Sequence, residues 1–117
     1  MHDFRRLHVW QHARTLAVEL DALTRGFPSV DHGVVGGQLR RSALSIPANI
    51  AEGCGKNSRR ETLRFLEIAA GSAAETEHHI LMACDLGYVS ADATDVLLAS
   101  IMSVRRMLSG LIMKLPV

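Results

Sequence analysis

Apolar residues recur at alternating spacings of three and four through four stretches of this 117-residue chain, and no other feature constrains its fold as tightly. That spacing returns side chains to one face of an α-helix, whereas a strand would scatter them over both of its faces. The first stretch runs from about Leu7 to Thr24 and carries Leu7, Trp10, Ala13, Leu16, Ala17, Leu20 and Leu23. Gly26-Phe27-Pro28 ends it, because glycine frees the backbone and proline cannot continue a helix. The second lies between Asp31 and Gly53, with Val35, Leu39, Ala43, Ile46 and Ile50 as its stripe. Gly36 and Gly37 each cost about 1 kcal/mol relative to alanine inside a helix, which points to a start nearer Gln38.

The third stretch opens on Ser58-Arg59-Arg60-Glu61, which fits a capping box: the serine accepts from the third amide and the glutamate reaches back. Leu63, Phe65, Leu66, Ala69, Ala73, Thr76, Ile80 and Ala83 follow, and Gly87 closes it. The fourth runs from near Ser90 to about Lys114, with Leu97, Ile101, Val104, Leu108, Leu111 and Leu115 as a heptad-like seam. Short connections favour sequential antiparallel neighbours. The expected architecture is one all-α domain over residues 1–117, an antiparallel up-down-up-down four-helix bundle. Composition agrees, since the chain is 48% hydrophobic but only 4% aromatic, and aliphatic cores of this kind suit helices better than sheets.

The opening residues Met1 to Arg6 carry charge and lead into no apolar run with a cleavage site. By this reading no apolar stretch approaches the ~20 residues of a membrane span. Cys54 and Cys84 have no metal-ligand spacing with each other or with the histidines. The expectation is a cytoplasmic protein with reduced thiols and no membrane contact. Leu98, Met102 and Met113 in the fourth stretch, Ile68 in the third and Val18 in the first lie off the main stripes. They fit either a wide buried face or a surface that packs on another subunit.

Gln38 to Gly53 reads QLRRSALSIPANIAEG, which places proline and several polar residues inside an apolar helix. Pro47 has no amide hydrogen, so the carbonyl of Ala43 loses its helical partner. Ser42, Ser45 and Asn49 lie beside that defect, and Ser72, Glu75 and Thr76 lie near the apolar face of the third stretch. Since buried polar groups must be satisfied, a polar layer is expected to link Ser45, Asn49 and Ser72, with Glu52 or Glu75, and to hold these helices in register.

Catalytic patterns are missing. Glu75-Thr76-Glu77-His78 supplies one Glu-x-x-His unit, but a di-metal bundle needs that unit on two helices and a glutamate from each of the others. His78 and His79 are adjacent and so point about 100° apart. Gly53-Cys54-Gly55-Lys56 lacks the upstream glycine of a phosphate loop. Cys54 sits near a basic turn, where a thiol pKa can fall, but no histidine is near it in sequence. The reading is a protein that is not an enzyme and that carries no cofactor and no metal.

Net charge is +1, but the charge is unevenly spread. Arg40, Arg41, Lys56, Arg59, Arg60 and Arg64 fall in one segment, opposed by Glu52 and Glu61. They are expected to cluster around the turn between the second and third stretches, as a phosphate-binding surface would. A solvated helix end is the alternative for a single copy; a ring of copies would repeat the cluster and add up its phosphate contacts. No aromatic platform for stacked bases is read within the cluster, so contact is expected with RNA or DNA backbone rather than with sequence.

The residues also resemble a known family across nearly the full length. They include Phe4, Leu7, Trp10 and Ala13, Gln38-Leu39-Arg40-Arg41, and Ser45-Ile46-Pro47-Ala48-Asn49-Ile50-Ala51-Glu52-Gly53. Glu61, Phe65, Leu66, Ile68, Ala69, Gly71, Ser72 and Glu75 continue the likeness, and Leu86-Gly87-Tyr88 ends it. The chain resembles the bacterial 23S ribosomal RNA intervening-sequence proteins, whose name reflects genes located within inserts in ribosomal RNA genes. The resemblance implies a left-handed up-down-up-down bundle assembled as a homopentamer. Similar accessory proteins of diversity-generating retroelements bind nucleic acid and a reverse transcriptase. The resulting expectation is a ring-forming accessory protein that contacts nucleic acid, or else a structural adaptor whose ring docks another protein.

Overall fold

Each of the four stretches is a helix in the structure, a computed structural model that describes residues 3–115. They are α1 (His8–Thr24), α2 (Val34–Cys54), α3 (Arg59–Asp85) and α4 (Ala91–Met113), with short 3-10 turns at Phe4–Arg6 and Ser29–Asp31. No strand occurs among the described residues. The stripes read from the sequence face a shared interior. Leu20, Leu39, Ile50, Leu66, Ile101 and Leu108 are wholly buried, and Leu16, Ala43, Ile46, Ala69, Ala73, Ile80, Val104 and Leu97 complete the core around them. Of the residues off the stripes, Leu98 packs half-buried against the core, whereas Val18, Ile68, Met102 and Met113 are exposed.

Around the bundle α1 touches α2 and α4, and α3 touches α2 and α4, while neither diagonal pair meets among the described residues. The most extensive contact is that of α2 with α3. Hydrogen bonds join Ser42 to Thr76, Ser45 to Ser72 and Gly53 to Thr62, so these two helices run antiparallel.

Helix α2 departs from the sequence reading at its start, which lies at Val34 and not near Gln38. The carboxylate of Asp31, buried just before the helix, supplies what the glycines lack. Its two oxygens accept from the amides of Val35 and Gly36, each at 3.1 Å. They satisfy donors that every helix leaves open in its first turn. Gly36 also makes room for this cap, since a Cβ there would lie 3.3 Å from the Phe27 ring and 3.5 Å from Asp31 Oδ2. Pro47 does not end the helix, which continues through it to Cys54.

Helix α4 calls for a second correction. By length and composition alone it is apolar enough to cross a membrane. Its charges, Asp92, Asp95, Arg105 and Arg106, leave residues 96–104 uncharged between them. A core helix of a bundle passes the same test, and Leu97, Ile101, Val104 and Leu108 of α4 are buried against the other helices.

At the far end of α2, Gly53 sets how closely α3 can cross. A Cβ at Gly53 would stand 3.2 Å from Phe65 Cβ and 3.3 Å from the Thr62 carbonyl oxygen, and the Thr62 hydroxyl donates to the Gly53 carbonyl at 3.0 Å. Gly71, in the middle of α3, meets nothing within 4 Å. The two glycines should therefore respond oppositely to alanine in urea unfolding. Gly71→Ala should stabilise by up to about 1 kcal/mol through helix propensity, while Gly53→Ala should destabilise by about 1–2 kcal/mol through overpacking.

Candidate nucleic-acid interface

The turn from α2 to α3 is built by helix-end chemistry. The Gly55 amide closes α2 by donating to the Glu52 carbonyl at 3.1 Å, and the Ser58 hydroxyl opens α3 by accepting from the Glu61 amide at 3.2 Å. Lys56, Arg59, Arg60 and Arg64 stand around this turn. Lys56 and Arg64 are both held over the ring of Phe65, with Lys56 Nζ 5.1 Å and Arg64 Cζ 5.4 Å from its centroid. Lys56 also lies 4.0 Å from the Glu52 carboxylate. Arg59 and Arg60 are exposed and form no ion pair among the described residues. An aromatic residue therefore does sit within the basic cluster, contrary to the sequence reading, although cations occupy its surroundings. Beside it is a shallow hollow lined by Ser58, Arg60, Glu61, Leu63, Arg64 and Glu67. The two carboxylates among those residues, Glu61 and Glu67, make it a poor pocket for a free anion.

Arg40 and Arg41 do not join this cluster. They lie fourteen and thirteen residues before Cys54 on one continuous helix, which at 1.5 Å per residue places them about 20 Å away. Both are otherwise engaged. Arg40 is half-buried and donates from Nη1 to the Thr24 hydroxyl at 2.9 Å, tying α2 to α1. Arg41 pairs with Glu75 across the α2–α3 seam. Proximity in sequence stood for proximity in space only where the chain turns.

The expected polar layer is present in altered form, as a ladder along the α2–α3 seam. Ser45 Oγ and Ser72 Oγ lie 2.9 Å apart, and Asn49 Nδ2 donates to the Ser45 carbonyl at 2.8 Å and to Ser45 Oγ at 2.9 Å. Asn49 thus turns back on its own helix and reaches Ser72 only through Ser45. Glu52 is outside the ladder, exposed and facing Lys56. The deepest rung is Ser42 with Thr76, both wholly buried. Thr76 Oγ1 lies 2.9 Å from Ser42 Oγ and 2.8 Å from the Ser72 carbonyl, and Ser42 Oγ lies 3.2 Å from the Leu39 carbonyl. Two hydroxyl protons serve these three contacts, so one of the three is without a proton at any moment. The sequence places both residues near the seam, but their pairing follows from the register of the two helices rather than from either sequence stretch.

Glu75 ends the ladder. His79 hydrogen-bonds its carboxylate at 3.1 Å, and Arg41 pairs with the same oxygen from α2. The hydrogen bond from His79 is the main cause of a Glu75 pKa below its ordinary value; partial burial opposes the shift, and the charges of Arg41 and His79 add to it. Glu77 is separately engaged with Arg105 of α4 at 2.9 Å. The His78 and His79 rings meet edge-on at 5.1 Å. Among the described residues no group of three His, Cys, Asp or Glu side chains is placed to hold a metal ion. Cys54 is buried in the core. An open groove between α1 and α4, lined by residues including His12, Thr15, Glu19, Ser100 and Ser103, lies away from the basic turn.

With this geometry in view, the sequence profile described as "23S rRNA-intervening sequence protein" matches residues 5–110. The chain belongs to that family. A member of the S23 ribosomal protein family from Bacteroides thetaiotaomicron, a protein of unknown function with a crystal structure at 1.70 Å, has the same fold. It is 24% identical, with a TM-score of 0.81 over 89% of this chain and 97% of that one. No curated protein matches the chain significantly. The four-helix fold and the family are thereby fixed; they carry no statement of activity.

Two measurements check the ladder. Thr76→Val should lower unfolding free energy by about 1 kcal/mol, as expected for loss of a buried hydroxyl bond, and an unchanged urea midpoint would contradict this. For Glu75, a lowered folded-state pKa means that its contribution is present above the ordinary carboxylate range and is lost as pH falls through the lowered value. Melting temperature followed against pH should show wild type losing its advantage over Glu75→Gln on acidification, with the two curves meeting at the acid end.

Proposed function

We propose that this chain is a non-enzymatic accessory protein that binds the backbone of RNA or DNA through Lys56, Arg59, Arg60 and Arg64. One observation carries the reading. Arg59 and Arg60 are the first two residues of α3, where the helix dipole and the open amides favour anions and disfavour cations. Arginine there opposes helix stability, so its presence is better explained by a bound anion than by solvation of a helix end. Lys56 and Arg64, held over Phe65, supply two more charges at the same end.

An up-down-up-down path for the whole bundle would bring Lys114 of the α4 end toward this turn and leave Asp85, Asp92 and Asp95 at the opposite end. The resemblance to pentameric relatives favours a ring of five copies, which would repeat the four cations around one rim and multiply the phosphate contacts. In this reading the protein works in the cytoplasm without membrane contact, and Arg40 and Arg41 serve structure rather than binding.

Titration of labelled single- and double-stranded RNA and DNA tests the proposal. Four phosphate contacts predict that duplex affinity of a single protomer falls about a hundredfold between 50 and 200 mM salt. The double variant Arg59→Ala, Arg60→Ala should lose most of the binding and yet unfold at higher urea, by a few tenths to about 1 kcal/mol. Absence of binding at low salt would remove the nucleic-acid reading and leave a structural adaptor that docks protein.

A further inference from the structure

Helix α4 is the most apolar of the four, yet only 22% of its most apolar 18-residue window is buried within the protomer. Its outward ridge consists of Asp95, Ala99, Met102, Arg106 and Met113, which lie within about 60° of one another at 100° per residue. Met102 is 54% exposed and Met113 84%, and Val96 flanks the ridge at 67%. The ridge therefore has an acidic end at Asp92 and Asp95, an uncharged middle at Ala99 and Met102, and a basic position at Arg106. None of these charges forms an ion pair among the described residues, and Arg106 reaches only the Ser103 hydroxyl, at 3.3 Å.

We propose that this ridge is a contact between two copies of the chain, α4 against α4 in antiparallel orientation. Asp95 and Arg106 are eleven residues apart, about 16.5 Å along the axis and about 20° around it. Turning a second copy end for end about a point near Ser100 and Ile101 sets each Asp95 against the other copy's Arg106. The same turn sets each Met102 against the other copy's Ala99, whose small side chain admits close approach. A parallel arrangement would instead set Asp95 on Asp95 and Arg106 on Arg106. A lipid interior would have to take up the same two charges unpaired, at high cost. A single helical ridge covers less than the roughly 800 Å² per partner of a standard interface, so the association is weak and concentration-dependent. Being twofold, it joins copies in pairs.

This inference does not rest on the nucleic-acid reading, since none of its residues lies at the basic turn. Sedimentation of the full chain at roughly 10 to 500 μM, a range suited to weak association, is the test. The expected result is an even-numbered species that grows with concentration. Arg106→Glu should weaken its formation at least about tenfold by setting acid against acid, and Asp95→Arg combined with Arg106→Glu should restore it. A species that stays at one or five copies throughout would overturn the proposal. So would an Arg106→Glu variant, folded by circular dichroism, that associates like wild type, or a double variant that shows no recovery.

Discussion

The close antiparallel seam between α2 and α3 is the contact on which the rest of the molecule depends. It is tight because Gly53 offers no side chain where α3 crosses. It is in a unique register because hydroxyls on the two helices answer one another, Ser42 to Thr76 and Ser45 to Ser72, beneath the Arg41–Glu75–His79 group. A core of leucine, isoleucine and alanine specifies burial but tolerates sliding, because one aliphatic contact resembles the next. Buried hydroxyls tolerate it less, since a shift of one turn would break the Ser42–Thr76 and Ser45–Ser72 bonds between the helices and leave Ser42, Ser45 and Thr76 only the contacts within their own helices, at about 1 kcal/mol for each bond lost. Ser42 and Ser45 of α2 therefore supply, with Thr76 and Ser72 of α3, the register that the apolar stripes alone leave open.

That seam also decides what the basic turn presents. Because α2 and α3 are long antiparallel partners joined by four residues, the chain reverses at one end of the bundle and carries Lys56, Arg59, Arg60 and Arg64 with it. Phe65 stands nearly two turns inside α3, close enough to Gly53 for its Cβ to limit the packing there, while its ring holds two of those cations. The same residue thus connects core packing to the arrangement of surface charge. Arg40, by contrast, spends its charge inside the protomer, and its bond to Thr24 fastens α2 to α1.

Much of the fold was legible in the sequence because helical periodicity is local. Ile46, Ile50, Leu66, Ala69, Ile101 and Leu108 could each be assigned to a face from neighbours three and four residues away, and all are buried. Ser58 could be recognised as a cap for the same reason. What escaped depended on relations that spacing does not encode. The start of α2 is fixed by Asp31 reaching forward across a 3-10 turn, so the glycine pair misled. The basic cluster is narrower than the sequence window that contains its residues, because the 1.5 Å rise per residue separates Arg40 and Arg41 from the turn. Position one turn after Asn49 suggests the polar layer for Glu52, but its carboxylate is exposed and faces Lys56.

Amide hydrogen exchange, followed residue by residue with and without a single-stranded RNA, bears most directly on this account. Slowest exchange should fall on the facing halves of α2 and α3, around residues 42–53 and 62–76. Added RNA should slow exchange chiefly over residues 55–64. Faster exchange along that seam than in α1 or α4, or RNA protection centred away from the α2–α3 turn, would contradict it.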